Sequence, residues 1–403
     1  MSTVPAVVVG FEENGLGVAR ALRAGGVQVL AVASRHHPAI RTRTARHIPI
    51  PRWDRDSLIE GLVALGPDLE GRAPLFITKD EGVLWVSAER EALSPFYHIA
   101  LPDPDTVDLL MNKARFLEHA RARAWPVPKS WTVLGEQDLE RVVAEIAWPA
   151  ILKPFVKTTA FRRQGGQKAH KVDSEEGLRA AWAIVSVSEP QAIVQEWIPG
   201  GDDRIAFCLS YRGRDPAASA DFVGRKLLQW PIDCGNTAVA APAPERWWGP
   251  LLELTDQLWQ DVGYLGLGSL EVKVSPDDEL VIVEPTVGRT NFQSEIAPLN
   301  GVNLPLRMYN DLLGLPANPV EQRSEGVRLV FGTGWAKAVR KSVAVGRFGW
   351  GEGLGMIAGR KRLMLARASD PGPILAAIAR RGRRLVRGAL RRALSTSGRA
   401  RGR

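Results

Sequence analysis

Cysteine is nearly absent from this sequence. Only Cys208 and Cys234 occur among 403 residues, and neither belongs to a CxxC motif. So few thiols exclude a disulfide framework and a zinc site built on cysteine, and they fit a reducing compartment such as the cytoplasm. The six histidines, which include His36, His37 and His170, show no metal-ligand spacing and are interpreted as ordinary surface residues.

Long apolar runs are missing as well. No stretch approaches the roughly 18 apolar residues that a membrane-spanning helix needs. The first residues, MSTVPAVVVG, enter a strand pattern directly, so no signal peptide is expected. The composition, 45% hydrophobic and 24% charged, is that of a globular protein, and 403 residues predict two or three domains.

Negative charge is absent from the C-terminal end. Residues 380–403 contain ten arginines and no acid, and the formal net charge is +9, so residues 1–379 lie close to −1. Any polyanion binding therefore concerns this tail alone. Its apolar residues have near-helical spacing, which is compatible with contact with an anionic membrane surface, and a disordered solubilising tail is the alternative. The case for nucleic acid is weak, because it rests only on the tail.

The first hundred residues alternate strand and helix patterns. Apolar strands at 4–10, 27–34 and 74–80 enclose helical stretches, which predicts a parallel sheet with covering helices. The glycines after the first strand suggest a dinucleotide fingerprint. However, Arg20 occupies the third glycine position and no acid ends the second strand, which argues against nicotinamide or flavin binding. The glycine turn is therefore interpreted as serving packing or a substrate.

Two acidic residues interrupt strand-like runs further along the chain. Glu271 lies in SLEVKV and Glu284 in LVIVEPT, and Asp277 and Asp278 form a good turn between them. A symmetric hairpin pairs residues whose numbers sum to 555, so Glu271 faces Glu284. The other predicted pairs are Val274–Val281, Lys273–Ile282 and Val272–Val283.

Opposed carboxylates destabilise a sheet unless one is protonated or a cation lies between them. One interpretation is that the register differs or that one acid reaches solvent. The other is that the pair binds Mg²⁺, because hard divalent ions prefer carboxylate oxygens and magnesium commonly shares its shell with nucleotide phosphates.

Four further motifs decide between these interpretations. NKARFLEHARARAWPVP contains Lys113, WPAILKP contains Lys153, and FRRQGGQKAH contains Gly165 and Gly166. VQEWIPGGDD follows them, with an acidic pair after two glycines. In this order, the motifs and the two acidic strands resemble the ATP-grasp superfamily of D-alanine–D-alanine ligase and biotin carboxylase, over roughly residues 1–315.

The resemblance implies a role for each motif. The two lysines bind ATP, the glycine loop covers its phosphates, and VQEWIPGGDD is the hinge between the two lobes. The implied ATP-binding residues are Lys113, Lys153, Gly165, Gly166, Gln195, Glu196, Trp197, Ile198 and Arg225, with Asp202 or Asp203 on the ribose. The implied metal ligands for Mg²⁺ or Mn²⁺, two ions in all, are Glu271, Glu284 and Thr286. The implied catalytic residues are Lys226, toward the triphosphate, and Arg289, on the substrate carboxylate or acyl phosphate.

One position departs from the superfamily pattern. An asparagine usually stands two residues after the second glutamate, and here that residue is Thr286. A hydroxyl is a weaker ligand, and Asn291 or Arg289 is the candidate to compensate. This departure keeps open a protein that binds ATP without turnover.

The fold implied is α/β: a Rossmann-like domain (1–108), then a two-lobed α+β ATP-grasp module (109–318), a segment of unknown role (319–379) and the arginine-rich tail (380–403). The implied function is an ATP-dependent ligase that joins a small-molecule carboxylate to an amine, or a thiol, through an acyl phosphate. The alternatives are a carboxylase or carbamoyl-type enzyme that uses bicarbonate and a non-catalytic regulator. Related enzymes lead us to expect a homodimer.

Overall fold

Three β-sheets organise the chain in this computed structural model, which describes residues 4–35, 37–154, 169–187, 191–323 and 326–383. The first sheet has five parallel strands in the order β3-β2-β1-β4-β5. These are β1 Ala6–Val9, β2 Val29–Ala33, β3 Arg46–Pro49, β4 Ala73–Ile77 and β5 Tyr97–His98. Its helices are α1 Glu13–Ala24, α2 Arg55–Leu65, α3 Asp80–Ala88 and α4 Arg90–Leu93. The predicted parallel sheet is confirmed.

The glycine turn after β1 leads into the packed helix α1. A Cβ atom on Gly17 would lie 3.0 Å from the Cβ atom of Glu295. The absence of a side chain therefore lets α1 pack closely against the segment around Glu295, which supports the packing interpretation of this glycine.

Two helices lead from the first sheet to the second. They are α5 Pro104–Met111 and α6 Lys113–Ala122. Asn112 separates them and caps α6, because its Oδ1 accepts hydrogen bonds from the backbone amides of Ala114 and Arg115 at 3.1 and 3.3 Å.

The second sheet is antiparallel and is covered by helices on one face. Its strands, in the order β6-β9-β7-β8, are β6 Ser130–Val133, β7 Ala150–Pro154, β8 His170–Val172 and β9 Ala192–Glu196. The covering helices are α7 Glu136–Glu145 and α8 Glu175–Val185. Because side chains alternate along a strand, Ser130, Lys153 and Gln195 fall on the face opposite this apolar core.

The third sheet has seven strands, in the order β14-β13-β10-β11-β12-β15-β16. They are β10 Ile205–Arg212, β11 Ala220–Trp230, β12 Asn236–Pro242, β13 Gly266–Val274, β14 Leu280–Val287, β15 Arg328–Val330 and β16 Lys361–Leu363. The helices are α9 Trp248–Asp261, α10 Ile296–Leu299, α11 Leu304–Leu312, α12 Gly334–Ala344 and α13 Trp350–Gly355, and residues 372–383 form a further helix. Two strands of this sheet thus come from the segment 319–379.

The hairpin of β13 and β14 confirms the predicted glutamate pair and corrects its surroundings. Glu271 is paired with Glu284 as predicted. The predicted pairs nearer the turn are wrong by one residue: the observed pairs are Val272–Ile282, Lys273–Val281 and Val274–Leu280. The turn has three residues, and Asp278 adopts a left-handed conformation with φ of +61°. A β-bulge at Val283 then restores the register at the glutamates.

The C-terminal segment is tied to the first domain by buried charges. Asp370 accepts hydrogen bonds from the Thr42 hydroxyl at 2.6 Å and from the Arg43 amide and the Arg20 guanidinium at 3.0 Å each. Arg367 pairs with Glu295 at 2.8 Å, and Arg20 approaches the same carboxylate at 3.5 Å. We call Arg20, Glu295, Arg367 and Asp370 the buried ionic network.

No helix among the described residues is long and apolar enough to cross a membrane.

Candidate active site

The paired glutamates lie on one face of the large sheet. Glu271 is 5% exposed and shares its face with Phe207 on β10, whereas Val272 and Ile282 point into the apolar core on the other side. Strand alternation therefore separates the two carboxylates from that core. The pair is the centre of the candidate site.

A lysine and an amide hold the two oxygens of Glu271. Lys226, on β11, is 4% exposed and its Nζ lies 2.8 Å from Glu271 Oε1. Asn291 Nδ2 lies 3.3 Å from Glu271 Oε2. Lys226 also donates to Gln229 Oε1 at 3.3 Å. One positive charge thus balances part of the charge of the carboxylate pair.

Arg225 does not join this cluster, although it precedes Lys226. Neighbouring residues on a strand face opposite sides, and Arg225 lies beside Ala206 on the face that carries Val272. Its guanidinium is 5.9 Å from the Trp247 ring, and burial lowers its pKa from the ordinary value. Of the two predicted neighbours, only Lys226 therefore lies with the carboxylates.

The small sheet contributes a second polar surface. Lys153 Nζ donates to Gln195 Oε1 at 2.8 Å, and Gln195 Nε2 donates to the Ser130 hydroxyl at 2.9 Å. These bonds fix Lys153 on the uncovered face of the sheet. The structure thereby brings together two residues, Lys153 and Gln195, that were predicted from separate motifs.

The segment 197–204 connects the two sheets, as expected for a hinge. The amides of Glu196 and Trp197 donate to the carbonyls of Lys129 and Pro149 at 3.0 and 3.1 Å. Within the described part of the chain, no backbone bond occupies the Ile198 amide. Ile198 is therefore the hinge residue whose N–H is available to a ligand such as a base edge.

Two aspartates near the end of the hinge have different surroundings. Asp202 is buried and accepts hydrogen bonds from the Gln229 amide, the Gln229 side chain and the Asp233 amide at 2.9, 3.1 and 3.0 Å. These hydrogen bonds occupy the Asp202 carboxylate and stabilise the end of β11. Asp203 is half-buried and has the more accessible carboxylate, so it is the better candidate for a ribose contact.

Lys273 fixes the glycine pair of the hinge. Its Nζ donates to the carbonyls of Gly200 and Gly201 at 2.8 and 2.6 Å. Burial lowers the pKa of Lys273 to about 8, although nearby aspartates, Asp202 first among them, act in the opposite direction. No functional role of Lys273 was predicted from the sequence.

Lys113 is the first residue of α6, and this helix borders a cavity of about 330 Å³. Ala114 and Leu117 line one side of the cavity, and Thr132 and Ile193 of the small sheet line the other. The predicted lysine helix therefore packs beside the uncovered face that carries Lys153. Gly165 and Gly166, in the predicted phosphate loop, lie outside the described residues.

Arg289 lies in the loop after β14 and reaches the first domain. Its Nε and Nη2 atoms donate to Asp80 Oδ1 at 2.8 and 2.6 Å. Asp80 begins α3, and its side chain is 60% exposed. Thr286 lies two residues after Glu284, opposite Ser269.

Comparisons with known proteins agree with this geometry. No family model matches the chain. A D-aspartate ligase from Enterococcus faecium (strain Aus0004) is 24% identical over 318 residues, which cover 74% of each chain. A D-alanine–D-alanine ligase from Pseudomonas entomophila (strain L48) is 24% identical over 226 residues, 53% of this chain and 66% of that protein.

A solved structure matches over a larger part of the chain. It is the biotin carboxylase domain of the Hydrogenobacter thermophilus 2-oxoglutarate carboxylase, with MgADP, ADP and bicarbonate. The TM-score is 0.60 at 16% identity, over 80% of this chain and 72% of that one. The chain has the ATP-grasp fold. Its two lobes are the small sheet and the large sheet, joined by the hinge at 197–204.

The donor set of this ATP-grasp module fits a hard divalent cation. Among the described residues, no group of three or more histidine, cysteine, aspartate or glutamate side chains could hold a metal ion. The candidates are two paired carboxylates, with the Asn291 amide beside them. Such a set suits Mg²⁺ when nucleotide phosphates and water complete its shell.

Sequence reasoning missed two residues of the candidate site. Gln229 joins Lys226 to Asp202, and Lys273 holds the hinge glycines. A period-two count along β13 could have found Lys273, because it is two residues from Glu271 on the same face. The same count misses Gln229, because the register of β11 is irregular between Lys226 and Gln229. A buried lysine at that position needs a polar partner.

Proposed function

We propose that this chain is an ATP-dependent ligase that joins a carboxylate to an amine through an acyl phosphate. The observation that carries the proposal is the Glu271–Glu284 pair with Lys226 at 2.8 Å. A sheet tolerates two opposed carboxylates when a cation binds there. The ligases among the relatives support the same activity.

The reaction has two balanced steps. A substrate carboxylate oxygen attacks the γ-phosphorus of ATP, the bond to the bridging oxygen breaks, and ADP leaves. An amine then attacks the acyl carbon, loses a proton and expels phosphate. Both steps shift negative charge, so catalysis depends on fixed positive groups rather than on a protein nucleophile.

The residues of this chain bind and orient the reactants. Lys153 and Lys113, from the small lobe, and Lys226, from the large lobe, provide positive charge for the triphosphate. Ile198 and Asp203 hold the adenine and the ribose. Glu271 and Glu284 hold Mg²⁺ or Mn²⁺, two ions by resemblance, and the metal supplies neutralisation of the developing phosphate charge.

Arg289 is the proposed carboxylate-binding residue. A guanidinium binds a carboxylate through two parallel hydrogen bonds, and Arg289 already makes a two-donor contact with Asp80. The exposed Asp80 is thus a protein carboxylate that a substrate acid can replace.

A second observation argues for turnover rather than for a regulator without activity. Thr286 weakens the expected ligand set, but the Asn291 amide lies 3.3 Å from Glu271. Asn291 therefore supplies the amide that is absent at position 286. An assay for turnover therefore distinguishes the ligase from the regulator.

The experiment combines purified protein, Mg-ATP, hydroxylamine and a panel of acids that includes D-aspartate, D-alanine and bicarbonate. We expect acid-dependent ADP release and a hydroxamate, because hydroxylamine traps an acyl phosphate. ADP release that depends only on bicarbonate would instead favour the carboxylase alternative. ATP binding without release in any reaction would favour a regulator, and failure to bind Mg-ATP would reject the ATP site.

Two further predictions concern partners. Leu375 and Ile378 are each 61% exposed on the helix 372–383, beside Arg380 and Arg381, which favours contact with an anionic membrane surface. Sedimentation with phosphatidylserine vesicles checks it, and binding that persists without residues 372–403 would contradict it. The expected homodimer is checked by light scattering after size-exclusion chromatography.

A further inference from the structure

A buried asparagine joins the first domain to the loop that follows β14. Asn14 is the second residue of α1, close to the glycine turn after β1. Its Nδ2 atom donates to the Thr290 carbonyl at 3.2 Å and to the Thr78 carbonyl at 3.4 Å. Its Oδ1 atom accepts a hydrogen bond from the Ser294 hydroxyl at 2.6 Å. One side chain therefore connects the end of β4 to two points of the loop.

These partners require an amide at position 14. A carbonyl oxygen only accepts hydrogen bonds, so the group that faces both carbonyls must be a donor. The asparagine amide has two N–H donors for them and one oxygen for the Ser294 hydroxyl. An ionised aspartate has nearly the same shape but no donor, and it would direct a negative oxygen toward two carbonyl oxygens. The contacts of Asn14 therefore depend on its chemistry and not only on its size.

The first-domain side of this connection is closely packed. The Thr78 hydroxyl lies 2.8 and 2.7 Å from the carbonyl oxygens of Val9 and Gly10, at the end of β1. On the side of α1 that faces the loop, Gly17 lies so close to Glu295 that its missing side chain permits the contact, as described above. Asn14 and Gly17 are three residues apart and therefore lie on neighbouring positions of the helix surface. The amide is thus presented from a fixed helix.

The Thr290 carbonyl lies between two residues of the candidate site. Asn291 follows it, and its Nδ2 atom contacts Glu271 Oε2 at 3.3 Å while its Oδ1 atom accepts from the Phe292 amide at 2.7 Å. Arg289 precedes it, and the Arg289 Nη1 atom lies 3.4 Å from the same carbonyl oxygen. Because a peptide unit is planar and rigid, a change at this carbonyl also moves the neighbouring Asn291.

Both ends of the loop have anchors of their own. The Gly288 amide donates to the Tyr264 hydroxyl at 2.8 Å at the start of the loop. Glu295, at the other end, belongs to the buried ionic network. The Thr290 hydroxyl makes no hydrogen bond within the described part of the chain, so Asn14 reaches Thr290 through the carbonyl. Asn14 is therefore placed to fix the centre of the loop rather than to attach its ends.

We infer that Asn14 is a positioning residue for the metal site, because it holds the Thr290 carbonyl and thereby orients the Asn291 amide toward Glu271. This inference rests on the proposed ligase function, which assigns Mg²⁺ to the paired glutamates. Through Asn14, the first domain contributes to a metal site that lies on the large sheet.

The test measures metal-dependent nucleotide binding without turnover. Isothermal titration of the full chain with ADP, in the absence and presence of Mg²⁺, gives the factor by which Mg²⁺ strengthens ADP binding. We expect this factor to fall about tenfold in Asn14→Asp, which is the effect typical of a lost residue behind a metal ligand. The Kd for ADP without Mg²⁺ should stay within about twofold, because the hinge and the small lobe are distant from the substitution.

A second buried asparagine provides the matched control. Asn300 Nδ2 donates to the carbonyls of Ile296 and Val327 at 2.8 and 3.0 Å, and its Oδ1 atom accepts from the Val327 amide at 2.7 Å. Asn300→Asp therefore places a carboxylate against two carbonyls in the same way, but at residues outside the loop 288–294. It should lower stability in urea unfolding and leave the Mg²⁺ factor unchanged.

Asn14→Ala removes the two donors without adding a charge, so it keeps the test decisive if Asn14→Asp does not fold. It should also lower the Mg²⁺ factor. An unchanged factor in the folded Asn14 variants would overturn the inference, as would an equal loss in Asn300→Asp. If Mg²⁺ does not strengthen ADP binding in the unchanged protein, the metal assignment is wrong and this inference with it. A factor that depends on Asn14, without hydroxamate formation by the unchanged protein, counts against the proposed ligase function alone.

Discussion

Glu271 and Glu295 are equally buried, at 5% exposure, yet their surroundings differ. Glu271 faces another glutamate and is held by one lysine and one neutral amide. Glu295 lies between two arginines, Arg20 and Arg367. A lysine is a point charge on a flexible stem, whereas an arginine fixes a carboxylate geometrically. Burial alone therefore does not distinguish an acid that could bind a ligand from an acid with a structural role. The type of partner that holds each carboxylate is the more informative difference.

The buried ionic network has the features expected of a structural role. It links α1, the segment after β14 and the C-terminal segment, and the paired arginines partly offset the burial that raises the pKa of Glu295. Glu271 has no such pair of arginines, because its partners are the Lys226 ammonium and the neutral Asn291 amide. The predictions below test this difference.

The largest expected effect is on stability at Glu295. Glu295→Gln leaves the buried Arg367 without its carboxylate, whereas Arg20 keeps Asp370, and breaking a buried ion pair costs about 3–5 kcal/mol. Urea unfolding should show this loss. The exposed control Glu253→Gln should change the free energy of unfolding by less than about 0.5 kcal/mol. Equal stability of both variants would mean that the network is not structural.

At Glu284 we expect a loss of activity with little loss of stability. Glu284→Gln should lower kcat by about 100- to 1,000-fold, because it weakens stabilisation of transferring phosphate, and should leave the melting temperature nearly unchanged. Glu279→Gln, at the exposed end of the same hairpin, is the matched control. Turnover that survives in Glu284→Gln would make the metal assignment wrong.

The third prediction concerns pH and Lys273. Below pH 8 the folded and unfolded chains both carry its proton, so the full burial penalty opposes folding. From the folded pKa of about 8 to the unfolded value of 10.5, only the unfolded chain is protonated, so stability rises with pH. The total rise is about 3 kcal/mol. Urea unfolding between pH 7 and 10.5 measures this effect, and the free energy of unfolding should rise with pH by less in Lys273→Met than in the unchanged protein. The same pH dependence in both proteins would contradict the prediction.

Substitutions of the two hinge aspartates should have different effects. Asp202→Asn puts an amide against backbone N–H donors and should cost about 1–3 kcal/mol of stability. Asp203→Asn should raise the KM for ATP several-fold with little change in unfolding. The reverse pattern would assign the ribose contact to Asp202.

The smallest effect is expected at an exposed pair. Asp80→Asn removes the partner of Arg289, and exposed ion pairs contribute about 0–1 kcal/mol, so unfolding should hardly change. The KM for the acid substrate should fall, because Arg289 then has no competing carboxylate. An increased KM would mean that Asp80 positions Arg289 instead.

The local patterns predicted the frame of the site well. Strand alternation and a turn pair predicted that Glu271 and Glu284 are opposed, but the turn is one residue longer than predicted, and the pairing is kept by a β-bulge. The same alternation separates Arg225 from Lys226, although the motif alone suggested both for the triphosphate. The bulge at Val283 was not predictable, since it compensates for the left-handed Asp278.

Long-range contacts set the limit of prediction. Asp202 and Asp203 look equivalent in the sequence, and only the donors at Gln229 and Asp233 distinguish them. The buried ionic network joins residues separated by up to 350 positions, such as Arg20 and Asp370. No periodicity connects such partners, so the attachment of the C-terminal segment became evident only in three dimensions.

The bulge at Val283 decides which face of the sheet carries Glu284. If the register of the turn continued without a bulge, Val283 would stand opposite Glu271 and Glu284 opposite Leu270, whose side chain belongs to the apolar core. A slip of one residue would thus move a carboxylate from the polar face into the hydrophobic interior. Engineering of this hairpin should therefore preserve the bulge and exchange residues only at the turn.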